Sequence, residues 1–205
     1  MEIVLATTNA NKLREFREML QDMDVTVIGL DAFPGCPEVV EDGVSFAENA
    51  LKKAAAIARH TGRVTMADDS GLEVDRLGGM PGIYSARYAG PGADDRANNE
   101  RLLRELDGVP AGGRGAQFTC VIAVVDPRGG QQTVRGTCRG VILTRPRGEH
   151  GFGYDPLFLD RETTLTFSEM TPEQKNRVSH RSRAIAELKK MLPSFLEACR
   201  KQGRG

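Results

Sequence analysis

Short apolar runs alternate along this chain with stretches where apolar residues recur every three or four positions, and polar or glycine-rich breaks separate them. That alternation predicts an α/β protein in which strands and helices take turns. Residues 3–6 read as a buried first strand. Leu13, Phe16, Met19 and Leu20 then fall at helical spacing behind the polar turn Thr7-Thr8-Asn9-Ala10-Asn11. Residues 25–28 predict a second strand and residues 34–43 a loop holding Glu38, Glu41 and Asp42. Ser45-Phe46-Ala47-Glu48 has the form of a capping box, Ser45 accepting from the Glu48 amide while Glu48 reaches back. The helix it opens is expected to end near His60, with Phe46, Ala50, Ala54 and Ile57 on its apolar face. Residues 64–67 form a third apolar strand. It leads into Asp68-Asp69-Ser70-Gly71, read as a strand end and turn, before Leu72-Glu73-Val74 resumes strand-like alternation.

Residues 94–106 predict a helix that stops at Gly108 and Pro110. Residues 118–125 and 133–143 predict two long antiparallel strands around the Asp126-Pro127-Arg128-Gly129-Gly130 turn. Residues 146–155 are glycine-rich and irregular. Thr171-Pro172-Glu173-Gln174 starts a helix with proline at its first position. Ser179 begins the last helix, whose stripe is Ile185, Leu188, Leu192 and Leu196, and residues 203–205 read as a frayed tail. No repeat, low-complexity tract or linker breaks the pattern. The 205 residues suit one domain, or two lobes sharing a sheet, with a substantial core.

Charge narrows the function classes. The 28 basic and 28 acidic side chains balance, which argues against a broadly cationic binder of polymeric nucleic acid and leaves room for a local basic pocket. Only seven of the basic residues are lysine, so a lysine inside a motif carries extra weight. Cys36, Cys120, Cys138 and Cys199 show no zinc spacing and are expected as free thiols in a reducing, cytoplasmic compartment. No run is long and apolar enough to cross a bilayer, and the opening Met-Glu-Ile-Val-Leu reads as a strand rather than a signal peptide.

Five polar segments sit beside predicted turns. Adjacent carboxylates such as Asp68 and Asp69 repel unless a cation or donor lies between them, and an oxygen-rich pair suits Mg²⁺. The same residues also suit a solvated turn. Thr7 to Lys12 combines hydroxyls, a lysine and helix N-terminal amides, which is either an anion site or a polar cap. It lacks the glycines of a Walker loop. Asn49 and Lys53 share a helix face near Glu41, placing Lys53 to reach a phosphate or simply solvent. Gly148 to Asp155 offers Phe152 and Tyr154 for stacking on a base and Asp155 as an acceptor, or else a turn with its aromatics packed inward. Ser179, His180 and Arg181 put cations at a helix start, where an anionic or carbonyl-rich ligand would offset the unfavourable terminus. A surface cluster without a ligand fits as well.

Taken in order, Thr-Asn-x-x-Lys at 8–12, Glu-Asp-Gly-x-Ser-Phe-x-Glu-Asn-Ala at 41–50, Ala-Asp-Asp-Ser-Gly-Leu at 67–72, Pro-Gly-Ile-Tyr-Ser-Ala-Arg-Tyr-Ala-Gly at 81–90, Gly-Phe-Gly-Tyr-Asp-Pro at 151–156 and Ser-His-Arg at 179–181 resemble the inosine triphosphate pyrophosphatase family. The resemblance implies an elongated α/β fold, two lobes around a long mixed sheet with a nucleotide cleft between them. It also implies a homodimer that requires Mg²⁺ and hydrolyses ITP, dITP and XTP to monophosphate and pyrophosphate. Carried over by residue, Thr7, Thr8, Asn9, Ala10, Asn11, Lys12 and Lys53 would hold the triphosphate. Glu41 and Asp69 would bind Mg²⁺, Asp69 also accepting the proton. Ser70, Phe152, Gly153, Tyr154, Asp155, Lys175, His180 and Arg181 would bind substrate, the later ones near the base. Glu38 and Asp68 are further carboxylates within reach of the metal assignment. Donors such as His180 and Arg181 would favour the position-6 carbonyl of hypoxanthine and xanthine over the amino group of adenine. Two rivals stay open: a non-catalytic single-strand binder built on the aromatics and the basic cluster, and a related pyrophosphatase acting on pyrimidine or modified nucleotides.

Overall fold

The computed structural model describes residues 1–202. In chain order its main elements are β1 (Glu2–Leu5), α1 (Ala10–Met19), β2 (Thr26–Ile28), α2 (Phe46–Thr61), β3 (Thr65–Val74), α3 (Asp95–Glu105), β4 (Gly115–Val125), β5 (Gln131–Ile142), β6 (Phe158–Asp160), α4 (Pro172–Val178) and α5 (His180–Gln202). The strands form a mixed six-stranded sheet in the order β2-β1-β3-β4-β5-β6. The α/β expectation therefore holds, while the frayed tail predicted at 203–205 lies outside the described residues. None of the described helices is long and apolar enough to cross a membrane.

The chain forms two compact units. Among the described residues the first comprises 1–69, 120–136 and 182–202, and the second 70–119 and 137–181. In the first, β1 pairs in parallel with β2 and with β3, in the registers Ile3 to Val27 and Leu5 to Met66. Ile3, Val4 and Leu5 are fully buried, as expected of a strand with parallel neighbours on both sides, so an unbroken apolar run is needed there rather than an alternating one. The core of this unit joins Ile3, Leu5, Phe16, Leu20, Met66, Cys120, Ile122 and Val124 to the α5 stripe Ile185, Leu188, Leu192 and Leu196. Phe46, Ala50, Ala54 and Ile57 of α2 are buried as predicted.

In the second unit, β5 and β6 pair antiparallel through Val141 and Leu159. Leu72, Val74, Leu102, Leu106, Phe118, Leu157, Phe158 and Phe167 pack as a separate core. Phe118, Phe158 and Phe167 meet with ring centroids 4.7 to 5.6 Å apart, a cluster that adds aromatic contact energy to plain burial.

Two local expectations change. The Asp68-to-Gly71 segment is no turn, because β3 runs unbroken through it and places both aspartates mid-strand. At the start of α2, Ser45 accepts from the Glu48 amide at 3.2 Å, but Glu48 bonds the Val44 amide, one residue outside the position a closed box requires. The box forms instead at α4, where Thr171 and Gln174 cap each other reciprocally.

Candidate active site

In the first unit a charged cluster collects around Asp69. Asp68 and Asp69 are both buried, which in a strand demands a partner for each carboxylate. Asp68 pairs with Lys12 at 2.9 Å. Asp69 accepts from the Asn49 side-chain amide at 3.0 Å. Asn49, fully buried on α2, is itself oriented by the Gly43 N–H, which donates to its Oδ1 at 2.8 Å. A Cβ built at Gly43 would lie 2.7 Å from that oxygen, so only glycine lets the loop approach closely enough to fix it. One turn further along α2, Lys53 pairs with Glu41 at 2.8 Å.

Electrostatically, burial is the first cause that lifts the Asp69 carboxyl above its ordinary range. The Asn49 hydrogen bond and the Lys53 and Lys12 charges pull it back part of the way, and Glu41 pushes it up again. A buried carboxylate shifted by its surroundings in this way is a candidate functional group.

The first turn of α1 is arranged differently from the expected amide-lined anion site. Asn9 caps the helix, its Oδ1 accepting from the Asn11 and Lys12 amides at 2.9 and 3.2 Å, and Thr7 Oγ1 accepts from the Asn9 amide at 3.2 Å. Those amides already have acceptors. What the segment offers a phosphate is the Lys12 ammonium and the Thr7 and Thr8 hydroxyls, with Ala10 and Asn11 exposed beside them.

Glu41, whose charge pushes the Asp69 carboxyl up, and Asp69 itself supply oxygen donors only. Among the described residues no group of three or more His, Cys, Asp or Glu is placed to hold a metal ion. That sparse set fits Mg²⁺, which takes one or two carboxylates and fills its remaining positions with water and substrate phosphate. It does not fit a dedicated zinc or calcium cage.

The second unit carries Ser70, half-buried in β3, and an aromatic and cationic cluster. Lys175 on α4 is 8% exposed and pairs with Asp155, 3% exposed, at 2.5 Å. The same Asp155 oxygen accepts the Phe152 amide at 3.0 Å. Burial pushes the Asp155 carboxyl up, and the Lys175 charge and hydrogen bond offset that only in part. The Lys175 ammonium lies 4.8 Å from the Phe152 ring and the Arg181 guanidinium 5.8 Å from it. His180, the first residue of α5, stacks on Phe118 at 4.7 Å and faces Phe167 at 6.3 Å.

The structure thus gathers Lys12, Glu41, Lys53 and Asp69 in the first unit and Phe152, Asp155, Lys175 and Arg181 in the second, with His180 at the head of α5. One expectation fails. Tyr154 is buried in the second core and its hydroxyl donates to the Ser85 carbonyl at 2.9 Å, so its ring is not available to stack on a base. Asp155, read as an acceptor for base N–H groups, spends one oxygen on Lys175 and Phe152. Sequence reasoning also missed residues. In sequence Asn49 stands out only as sharing a helix face with Lys53, although Glu-Asn-Ala beside an acidic loop is the available signal. Phe118 and Phe167, the aromatic surroundings of His180, look in sequence like any strand or core residue.

The Ham1 family profile matches residues 3–191. Among curated proteins, the dITP/XTP pyrophosphatase of Geobacter sulfurreducens is 53% identical over 187 residues, 91% of this chain and 94% of its own length. That of Desulforamulus reducens is 51% identical over 192 residues, 94% and 96% of the two chains. Among solved structures, a HAM1 protein from Coxiella burnetii superposes with a TM-score of 0.87 at 38% identity, covering 95% of this chain and 99% of its own. The Staphylococcus aureus Ham1 protein gives 0.85 at 41%, with the same coverage.

Proposed function

The chain belongs to the Ham1 family and is an enzyme, and from its two clusters we propose that it hydrolyses non-canonical purine nucleoside triphosphates (ITP, dITP and XTP) to the monophosphate and pyrophosphate with Mg²⁺. The observation that carries this reading is the charge around Asp69. Lys12 and Lys53 stand against Glu41, Asp68 and Asp69, two ammonium groups to three carboxylates, with the central carboxylate buried and its pKa raised. One divalent cation would reverse the sign of that cluster and make it a receptor for a triphosphate.

In this mechanism Glu41 and Asp69 would hold Mg²⁺, which would supply Lewis-acid stabilisation of the phosphate oxygens. Asp69 takes a proton from the attacking water as the α-phosphorus is substituted and the bond to the leaving pyrophosphate breaks. Asn49 keeps the Asp69 carboxylate in one rotamer, which matters because catalysis here rests on positioning and electrostatics more than on covalent chemistry. Lys12 and Lys53 neutralise the leaving pyrophosphate. Thr7, Thr8 and Ser70 add hydroxyl donors to phosphate oxygens.

The base falls to the second cluster. The Phe152 ring supplies the flat surface, and Arg181, with His180 beside it, supplies donors for the position-6 carbonyl. An adenine amino group placed against those donors would leave buried N–H groups unmatched, a penalty of about 1–3 kcal/mol each. A triphosphate gives the lysines and carboxylates around Asp69 a purpose, whereas a single-strand binder leaves the three carboxylates without one.

The test is a substrate panel: ITP, dITP, XTP, GTP, ATP and dUTP, each with Mg²⁺, assayed separately for pyrophosphate and orthophosphate. Pyrophosphate release favouring ITP, dITP and XTP is expected. Orthophosphate as the sole phosphorus product, or equal rates across the purines, would overturn the reading.

A further inference from the structure

The loop carrying Phe152 is held from outside by one face of α3. Asp95 and Asn99 are four residues apart on that helix, so their side chains leave it on the same side. Both end on Gly153. The Asp95 carboxylate accepts the Gly153 N–H at 2.6 Å, and the Asn99 amide donates to the Gly153 carbonyl at 2.9 Å. The N–H belongs to the peptide group before Gly153 and the carbonyl to the one after it, so both peptide planes flanking this residue are fixed. Gly153 has φ +62°, a left-handed conformation that glycine adopts without strain.

Such a clamp is not what the first turn of α3 requires for its own stability. Asp94 already caps the helix by accepting the Ala97 amide at 2.7 Å. Nor does Asn98 share the task, because its amide binds the Ala89 N–H and the Ala86 carbonyl, a different segment. The other ties on the loop end on other residues: His150 N–H donates to the Ser168 carbonyl at 3.2 Å, Lys175 of α4 pairs with Asp155, and Asp155 accepts the Phe152 N–H. Asp95 and Asn99 are thus side chains of another element directed at the residue next to Phe152.

We infer that Asp95 and Asn99 are positioning residues for base recognition. By fixing the peptide planes on either side of Gly153 they hold the Phe152 ring beside Lys175 and Arg181, in the orientation the purine meets. The inference rests on the proposed function, since it assumes that the Phe152 face receives the base. The clamp acts on the base alone, so its loss weakens nucleotide binding without touching the groups assigned to phosphate chemistry.

The test combines steady-state kinetics on ITP, titration with IMP, and inhibition by inorganic tripolyphosphate, which carries no base. Asp95→Ala and Asn99→Ala are each expected to raise the KM for ITP and the Kd for IMP about three- to tenfold, the scale of one hydrogen bond, with kcat changed less than about twofold. The inhibition constant of tripolyphosphate should stay at its wild-type value. Asp95→Asn retains an acceptor oxygen for the Gly153 N–H and should restore the KM. Asn99→Asp places a carboxylate oxygen against the Gly153 carbonyl and should do no better than Asn99→Ala. In the ligand-free protein, Asp95→Ala should also speed hydrogen exchange of the Gly153 amide. Wild-type KM and Kd in both alanine variants would overturn the inference, as would a tripolyphosphate constant that rises in step with the KM. A wild-type enzyme that neither hydrolyses nor binds any of the nucleotides would instead overturn the proposed function, and this inference with it.

Discussion

Replacing Lys175 by methionine isolates the cost of an unpaired charge in the second unit. Methionine keeps most of the apolar stem and removes the ammonium that lies 2.5 Å from Asp155. Asp155 is 3% exposed, so water cannot substitute for the lost cation, and one remaining bond to its oxygen is the Phe152 N–H. Breaking a buried ion pair from one side costs about 3–5 kcal/mol when the surviving charge is left uncompensated, and the Arg181 charge offsets part of that here. Burial already lifts the Asp155 carboxyl, and losing Lys175 lifts it further. A carboxyl with a folded pKa above its unfolded value of about 3.9 keeps its proton in the folded protein where the unfolded chain has shed it. Stability therefore falls as pH rises through that interval, and the penalty of the substitution is small near pH 4 and complete above the folded pKa. Urea unfolding followed by circular dichroism suits a chain without tryptophan. At pH 8 Lys175→Met should unfold at markedly lower urea than the wild type, at pH 5 at only slightly lower urea, and the double variant Lys175→Met/Asp155→Asn should recover most of the loss at pH 8. An equal loss at both pH values, or none at pH 8, would refute the reasoning.

Three other substitutions probe the first unit. Asp69→Asn should lower kcat by at least about 100-fold while leaving the urea midpoint undiminished, since an amide can still engage Asn49; turnover near wild type under saturating Mg²⁺ would remove Asp69 from the chemistry. Lys53→Ala should reduce kcat/KM for ITP, XTP and GTP by a similar factor, because a phosphate contact carries no base information, and a shift in the ITP-to-GTP ratio at undiminished overall efficiency would move Lys53 to the base. Asp126 is held well below the usual carboxylate range by the Arg128 guanidinium, so its contribution to stability is present above pH 4 and disappears as pH falls through its folded pKa. The gap in urea midpoint between wild type and Asp126→Ala should accordingly be largest at neutral pH and narrow towards pH 2, and a gap independent of pH would contradict the ion-pair account.

The legible parts of the site were those whose chemistry is local. Lys12 next to a helix start, Glu41 in an acidic loop and the paired aspartates each stand out against a chain with few lysines and balanced charge. The partners were not legible. Lys12 with Asp68, Asn49 with Asp69 and Lys175 with Asp155 join residues 56, 20 and 20 positions apart, and no spacing rule connects them. Asp95 and Asn99 read as ordinary polar residues of a capped helix until the fold sets Gly153 against them. Tyr154 misled for the same reason: two aromatics in one glycine-rich loop look equivalent, and only the packing separates the buried ring from the half-buried one.

By itself the sequence determined the alternation of strands and helices, the buried run of β1, the apolar faces of α2 and α5 and the Thr171-Pro172 start of α4, because hydrophobic periodicity and end chemistry depend on residues within a few positions of one another. It misplaced the Asp68–Gly71 segment. Acidic and glycine residues favour a turn locally, yet β3 continues through them because partners elsewhere in the fold compensate the buried carboxylates. Which carboxylate meets which cation, which ring is exposed and how far the Asp69 and Asp155 carboxyls are shifted were decided by tertiary structure alone, because burial and the approach of charges distant in sequence exist only once the chain has folded.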